Sequence, residues 1–225
     1  MQLKDLIWIA IIMAISAFIA VPATRNLFVF ATTQNPYLMG FTKTAILATM
    51  GELLVNRMRQ GAYFAGIGMA MKFIVWGLLG MVFVLMFPLF SAGVTDLQQA
   101  GLLPVISGTG WAAMLLTAFL TSLLINVVFA PSFMILHRIT DTCIELTGGR
   151  LTSLRHIKVE TVITHIDWTY FFRFVVFKTI PLFWIPAHTI TFLLPPQFRV
   201  LMAAYLSIAL GVILTIAKRQ QTQTD

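Results

Sequence analysis

Away from the ends of stretches that are otherwise apolar stand the ionisable side chains Lys43, Glu52, Arg173, Lys178 and His188. A charge in hydrocarbon is costly, so each asks for a counter-ion, a hydrogen bond or water. Antiparallel depth counting puts Glu52 and Arg173 at similar levels, which predicts a charge-assisted contact that either fixes two helices or sits on a conduction path. Lys43 and Lys178 fall toward the other half, where no apolar stretch supplies an acid. They either snorkel outward along their stems or border an aqueous cavity that favours anions. His188 reads first as a hydrogen-bonded packing residue.

Uncharged polar residues recur on helical faces. Thr42, Ala45, Thr49, Glu52 and Asn56 share one face of their stretch, and Ala118, Ser122, Asn126 and Ala130 repeat every four residues. Two further ladders are small: Gly66, Ala70, Gly77 and Gly80, and Ala203, Ser207 and Gly211. Lipid supplies no hydrophobic drive between helices, so such faces let backbones approach and polar groups bond across the contact. The last ladder could join helices within one chain or between two, which leaves a homo-oligomer open. Lys43, Thr49, Glu52, Asn126, Arg173, Lys178 and His188 are therefore the candidates for a pore lining or a buried polar network.

Catalytic chemistry finds no constellation. The chain has no Ser, His and Asp arrangement, no paired carboxylates within the apolar stretches, no phosphate-cradling glycine loop and no clustered His ligands, so neither an enzyme nor a cofactor is expected. His137 and Asp141, four apart, share a helical face, but no second His-rich motif accompanies them and no metal is expected. The single cysteine, Cys143, excludes an intramolecular disulfide and fits a reduced compartment.

The elements that must position these residues follow from composition. At 59% hydrophobic, 10% charged and mean hydropathy +0.89, the chain would expose too much apolar surface as a soluble globule. In lipid only helices or closed barrels satisfy the backbone, and apolar runs of this length, without strand alternation, select helices. The expectation is all-α: a polytopic transmembrane bundle, one integral membrane domain over residues 1–225, with six spans at about 6–23, 37–56, 69–94, 111–136, 168–190 and 198–217. Pro131, Pro181 and Pro186 interrupt the fourth and fifth spans and free carbonyls that neighbours must satisfy. Lys4, the first apolar run and Ala20-Val21-Pro22-Ala23 also fit a signal peptide. Pro22 sits awkwardly in that cleavage motif, and removal leaves an odd number of spans, so the run reads as a span.

Charge sets the orientation. With the amino terminus inside, one side carries ten cations, Lys4, Arg57, Arg59, Lys72, Arg138, Arg150, Arg155, Lys158, Lys218 and Arg219, against Arg25 and Arg199 on the other. Both termini are predicted cytoplasmic in a multi-pass protein of the cell (inner) membrane. The pI near 10.0 reflects basic loops beside anionic headgroups, and no basic face with aromatic platforms marks a nucleic-acid partner. The longest loop, 140–167, is cytoplasmic; Leu151, Leu154 and Ile157 recur there at helical spacing, as in a helix lying in the interface, although a solvated loop fits equally.

Three segments also carry a resemblance. Pro36 followed by Gly51-Glu52, then Ala130-Pro131 through His137-Arg138 to Asp141, then Trp184, Pro186, His188, Thr191, Phe192, Pro195 and Arg199, resemble the family of the twenty-two-kilodalton peroxisomal membrane protein and its mitochondrial inner-membrane relatives. The chain looks like a bacterial member, the match covering somewhat over half its length. The family's motif makes Pro36, Gly51, Pro131, Asp141, Trp184, Pro186 and Arg199 structural positions and gives Glu52 its acidic place. His188 and Thr191 stand where the family has Gln and Asn, Ala130 replaces a Gly, and residues 71–104 look like an inserted hairpin relative to the family's four spans. The resemblance implies channel or pore activity toward small solutes, anionic or neutral. The alternative is a non-conducting scaffold or accessory subunit in which the polar residues fix helix register.

Overall fold

The computed structural model describes residues 2–224, with side chains described for residues 2–216. No strand occurs among the described residues. Six helices are long and apolar enough to cross a membrane: Leu3–Ala20, Pro36–Gln60, Met69–Gln99, Trp111–Leu146, Trp168–Leu193 and Pro196–Ile216. These are the six expected spans, most of them longer at one end because capping and tertiary contacts extend helices past the apolar core of each run. The side chains of Lys218 and Arg219 lie outside the described residues.

Hydropathy alone misses one helix. Residues Pro22–Gln34 form a helix, not a loop. Val21, with ψ 124°, breaks the first span, and Pro22 at the first helical position starts the next element with its φ already set. Phe28 and Thr32, four apart, are its buried face. Arg25, Asn26 and three threonines dilute its apolar signal below that of a span. The 140–167 loop is likewise more ordered than a solvated connection: the fourth span runs on to Leu146, and the short helices Leu151–Leu154 and Val159–His165 follow, with Val162 and Ile166 buried.

Gly77 and Gly80 of one small-residue ladder and Gly211 of the other make contacts within the chain, whereas Ala70 is exposed. A methyl group added at Gly80 would collide with the Gly40 carbonyl and the Thr44 hydroxyl, and one at Gly77 with the Phe41 ring, so the second and third spans cross with their backbones nearly touching. Gly66 lies outside this ladder, ahead of the helix that starts at Met69. The sixth span packs on the second, with Gly51 against Ile208 and Gly211 against Val55. The first span is peripheral, tied on by Trp8 Nε1, which donates to the Met50 carbonyl at 3.0 Å, and by the Ser16–Tyr205 hydroxyl contact at 2.9 Å.

At one end of the bundle Arg57 grips Asp5 with two hydrogen bonds of 2.8 and 3.1 Å, and the Tyr63 hydroxyl donates to the same carboxylate at 3.1 Å. Burial pushes the Tyr63 phenol up from its ordinary range, and the Asp5 contact adds to the shift. This clamp places the chain's beginning at the end of the bundle that holds Arg57 and Arg59. We call this the basic end.

Proline shapes the fourth and fifth spans. Pro131 cannot donate an amide, and the turn ahead of it, Ile125–Phe129, widens so that Ala130 N–H bonds Ile125 O five residues back. Around Pro181 the same widening spans Phe171–Trp184, and Ile185 N–H bonds Ile180 O. Where the regular helix resumes, Ile185 O accepts from Ser122 Oγ on the fourth span at 2.7 Å. The polar face of the fourth span thus meets the fifth just past the widened turns.

Candidate functional site

Five of the spans, all but the first, enclose a cavity of about 740 Å³. It begins at the basic end, where exposed Arg59 and Gln60 form part of its rim, and runs inward past Glu52, Lys72 and His137 to Phe83, Phe87, Asn126 and His188. A second cavity of about 220 Å³ enters from the other end, rimmed by exposed Pro36 and Pro196. The two share Phe83 and Phe87, which stand between them with ring centroids 5.3 Å apart. Phe87 is only 2% exposed and is braced by Phe192 and His188.

Lys72, Glu52, Asp141 and His137 form a charged cluster in the large cavity, which Arg59, Arg138 and Glu145 also line. Lys72 Nζ donates to Glu52 Oε2 at 2.7 Å and lies 3.9 Å from Asp141 Oδ1, while Trp76 Nε1 donates to the other Glu52 oxygen at 2.7 Å. His137 Nε2 is 3.6 Å from Asp141 Oδ2, and its ring packs on Trp76 at 4.3 Å. Glu52, His137 and Asp141 each offer one ligand atom within 4.8 Å of the others, so they could hold a metal ion. The Lys72 ammonium already stands among these carboxylates as their cation. Chemically, this is an ion-paired patch at the basic end of the cavity, with one lysine between two carboxylates.

The structure corrects the expected Glu52–Arg173 pair. Arg173 is exposed on the outside of the bundle, and Lys72 takes Glu52 in its place. Depth counting gives a level but no direction around the helix, and the widened turns from Phe171 change which way each fifth-span residue faces. Lys72 is favoured because the short 61–68 connection makes the second and third spans a tight hairpin, with Lys72 in the first turn of the returning helix. Lys178 is also exposed, its ammonium 5.5 Å from the Phe174 ring centre, so neither fifth-span cation lines a cavity.

Of the other residues singled out from sequence, Glu52, Asn126 and His188 line the large cavity, together with Gly51, Asp141 and Trp184. Lys43 is buried and lines the small cavity, 3.4 Å from the Thr32 hydroxyl and over the Phe28 ring at 5.0 Å. Thr49 lines neither, its hydroxyl buried without a partner. Pro36, Pro131 and Pro186 each sit in the first turn of a helical segment, as the ring's fixed φ favours. Arg199 donates to the carbonyls of Leu194 at 3.0 Å and Phe192 at 3.2 Å, capping the end of the fifth span, and borders the small cavity. Sequence reasoning missed Lys72 and Trp76. The charge count uses Lys72 only as one of the ten cations of one side, although its place one turn inside the 69–94 apolar run is the available signal.

At the blind end, Asn126 Nδ2 donates to the Ser122 carbonyl at 2.8 Å and lies 3.0 Å from His188 Nδ1. Asn126 Oδ1 is 3.3 Å from the same ring nitrogen; the carbonyl contact orients the amide and its Nδ2 makes the shorter approach, so we assign Nδ1 as the acceptor and the proton to Nε2. No protein-family model, curated protein or solved structure matches this chain. The fold and cavities define its class as an all-helical bundle with six helices able to cross a membrane.

Proposed function

We propose that the chain is a multi-pass inner-membrane protein that forms a closed passage for small anionic or neutral solutes, its basic end and both termini on the cytoplasmic side. One observation carries this reading: two cavities approach from opposite ends of the second span and share only the Phe83 and Phe87 walls. Paired vestibules separated by a hydrophobic constriction are what a gated path requires, since apolar rings close a pore by dewetting it. Lys43 and Arg199 border the smaller vestibule and no acid does, which favours anions there. The asymmetry of basic residues supports the orientation. The resemblance to the peroxisomal and mitochondrial membrane protein family agrees with this reading.

The test is flux from liposomes loaded with chloride, glycerol and sucrose, for the parent chain and Phe87→Ala. Removing the ring joins the vestibules, so efflux of the smaller solutes should rise at least several-fold over protein-free vesicles. Tight vesicles for both proteins under voltage, pH and redox changes would reject the passage and leave the scaffold reading.

A further inference from the structure

The geometry points to a binding site, at the blind end of the large cavity, for a neutral apolar ring compound bearing a carbonyl oxygen. Two buried donors line this end without a protein acceptor: the indole N–H of Trp184 and Nε2 of His188. His188 is 6% exposed, and its ring lies 5.0 Å from that of Trp184, so both donors belong to one small region. Buried polar atoms in folded proteins almost always find a partner, and an indole N–H beside an imidazole N–H matches an acceptor that neither residue supplies. The 3.0 Å approach of Asn126 Nδ2 to His188 Nδ1, shorter than the 3.3 Å approach of Oδ1, assigns the histidine the tautomer that donates from Nε2.

Charge and shape narrow the ligand. The cations that line the cavity, Arg59, Lys72 and Arg138, all belong to its basic end. Lys72 lies fifteen residues before Phe87 on the same helix, roughly 22 Å away at the helical rise. A carboxylate seated on Trp184 and His188 would be buried without a counter-ion, which selects a neutral acceptor. The surrounding walls are aromatic: Phe83, Phe87 and Phe133 pack in sequence, with Phe83 and Phe133 centroids 4.5 Å apart. Flat rings stack on such walls, and a volume of about 740 Å³ falls within the usual range of small-molecule pockets. An aryl ketone or a quinone has the required chemistry: a dry ring and a carbonyl acceptor. Binding here does not depend on whether the Phe83–Phe87 constriction opens.

Benzophenone, an uncharged diaryl ketone that inserts into C–H bonds on illumination, is a direct probe. With the full chain in detergent and in liposomes, mass spectrometry should place the crosslinks on third- and fifth-span peptides that line the cavity. Protection by 1,4-naphthoquinone should require about tenfold less competitor than protection by naphthalene, the gain of one buried hydrogen bond. Trp184→Phe keeps an aromatic ring and removes only the donor, so it should erase most of that difference while preserving helix content and elution volume. His188→Ala should weaken labelling further, but the Trp184→Phe result stands alone if the His188 variant does not fold. Equal competition by naphthalene and naphthoquinone, crosslinks spread over the lipid-facing exterior, or protection by oleate alone would each overturn the assignment. Flux measurements on the same preparations report on the passage separately, so either idea can fail without the other.

Discussion

Lys72 and Glu52 meet at 2.7 Å inside the basic end of the bundle, joining the second and third spans, with their side chains only 15% and 21% exposed. An ion pair this sheltered is costly to break from one side, because the remaining charge keeps its desolvation penalty without its partner. Lys72→Met and Glu52→Gln should each lower stability by about 2 kcal/mol, and the double substitution by less than the sum. Thermal unfolding in detergent, arranged as a double-mutant cycle, measures the coupling. Additive losses would mean the two groups do not interact.

The crossing of the second and third spans gives a sharper contrast. Gly80→Ala puts a methyl group into the Gly40 carbonyl and should cost about 1–3 kcal/mol as the helices are forced apart. Gly93→Ala, on the same helix with nothing within 4 Å of the added carbon, should be neutral or slightly stabilising. The midpoint of heat-induced aggregation for both variants separates the two sites. Equal behaviour would argue against a close crossing at Gly80.

The spans and the basic end were legible because each depends on a sum over many residues: runs of apolar side chains, and cations counted by side. The Pro22–Gln34 helix was not legible, since its buried face consists mainly of Phe28 and Thr32, too few to register against Arg25 and Asn26. Within the site, Glu52, Asn126 and His188 stood out as polar groups in apolar runs, and all three line the cavity. Arg173 and Lys178 stood out by the same rule and lie outside it. The rule reports cost, and a long cationic stem can meet that cost at the surface as well as in a cavity. The Trp76 contribution to Glu52 gave no signal, because a tryptophan near a span end usually reads as an interfacial anchor.

Arg199 acts as a clamp on the end of the fifth span. Its guanidinium reaches two carbonyls and Ser91 Oγ at 3.3 Å, and it lies 5.3 Å from the Phe192 ring centre. Arg199→Lys keeps a charge but loses the planar fork that serves several acceptors at once. Faster hydrogen exchange should follow in residues 189–194, with the second span unchanged. Uniform acceleration across the chain would instead indicate global destabilisation.

The orientation assigned to the basic end can be decided by chemistry at two positions. Arg150 is exposed beyond the fourth span, and Thr109 is exposed on the connection before it, so the two lie at opposite ends of the helix Trp111–Leu146. A helix of 36 residues extends roughly 54 Å at 1.5 Å per residue, longer than a hydrocarbon core, so in the proposed arrangement its two ends lie on opposite sides of the bilayer. In a Cys143→Ser background the chain has no other thiol. Arg150→Cys should then react with a membrane-impermeant maleimide only after spheroplasts are opened, and Thr109→Cys in intact ones. The reverse pattern would turn the basic end outward, against the charge count, and make the larger vestibule the external one. Reaction of both cysteines in intact spheroplasts would mean that this helix does not cross the membrane at all.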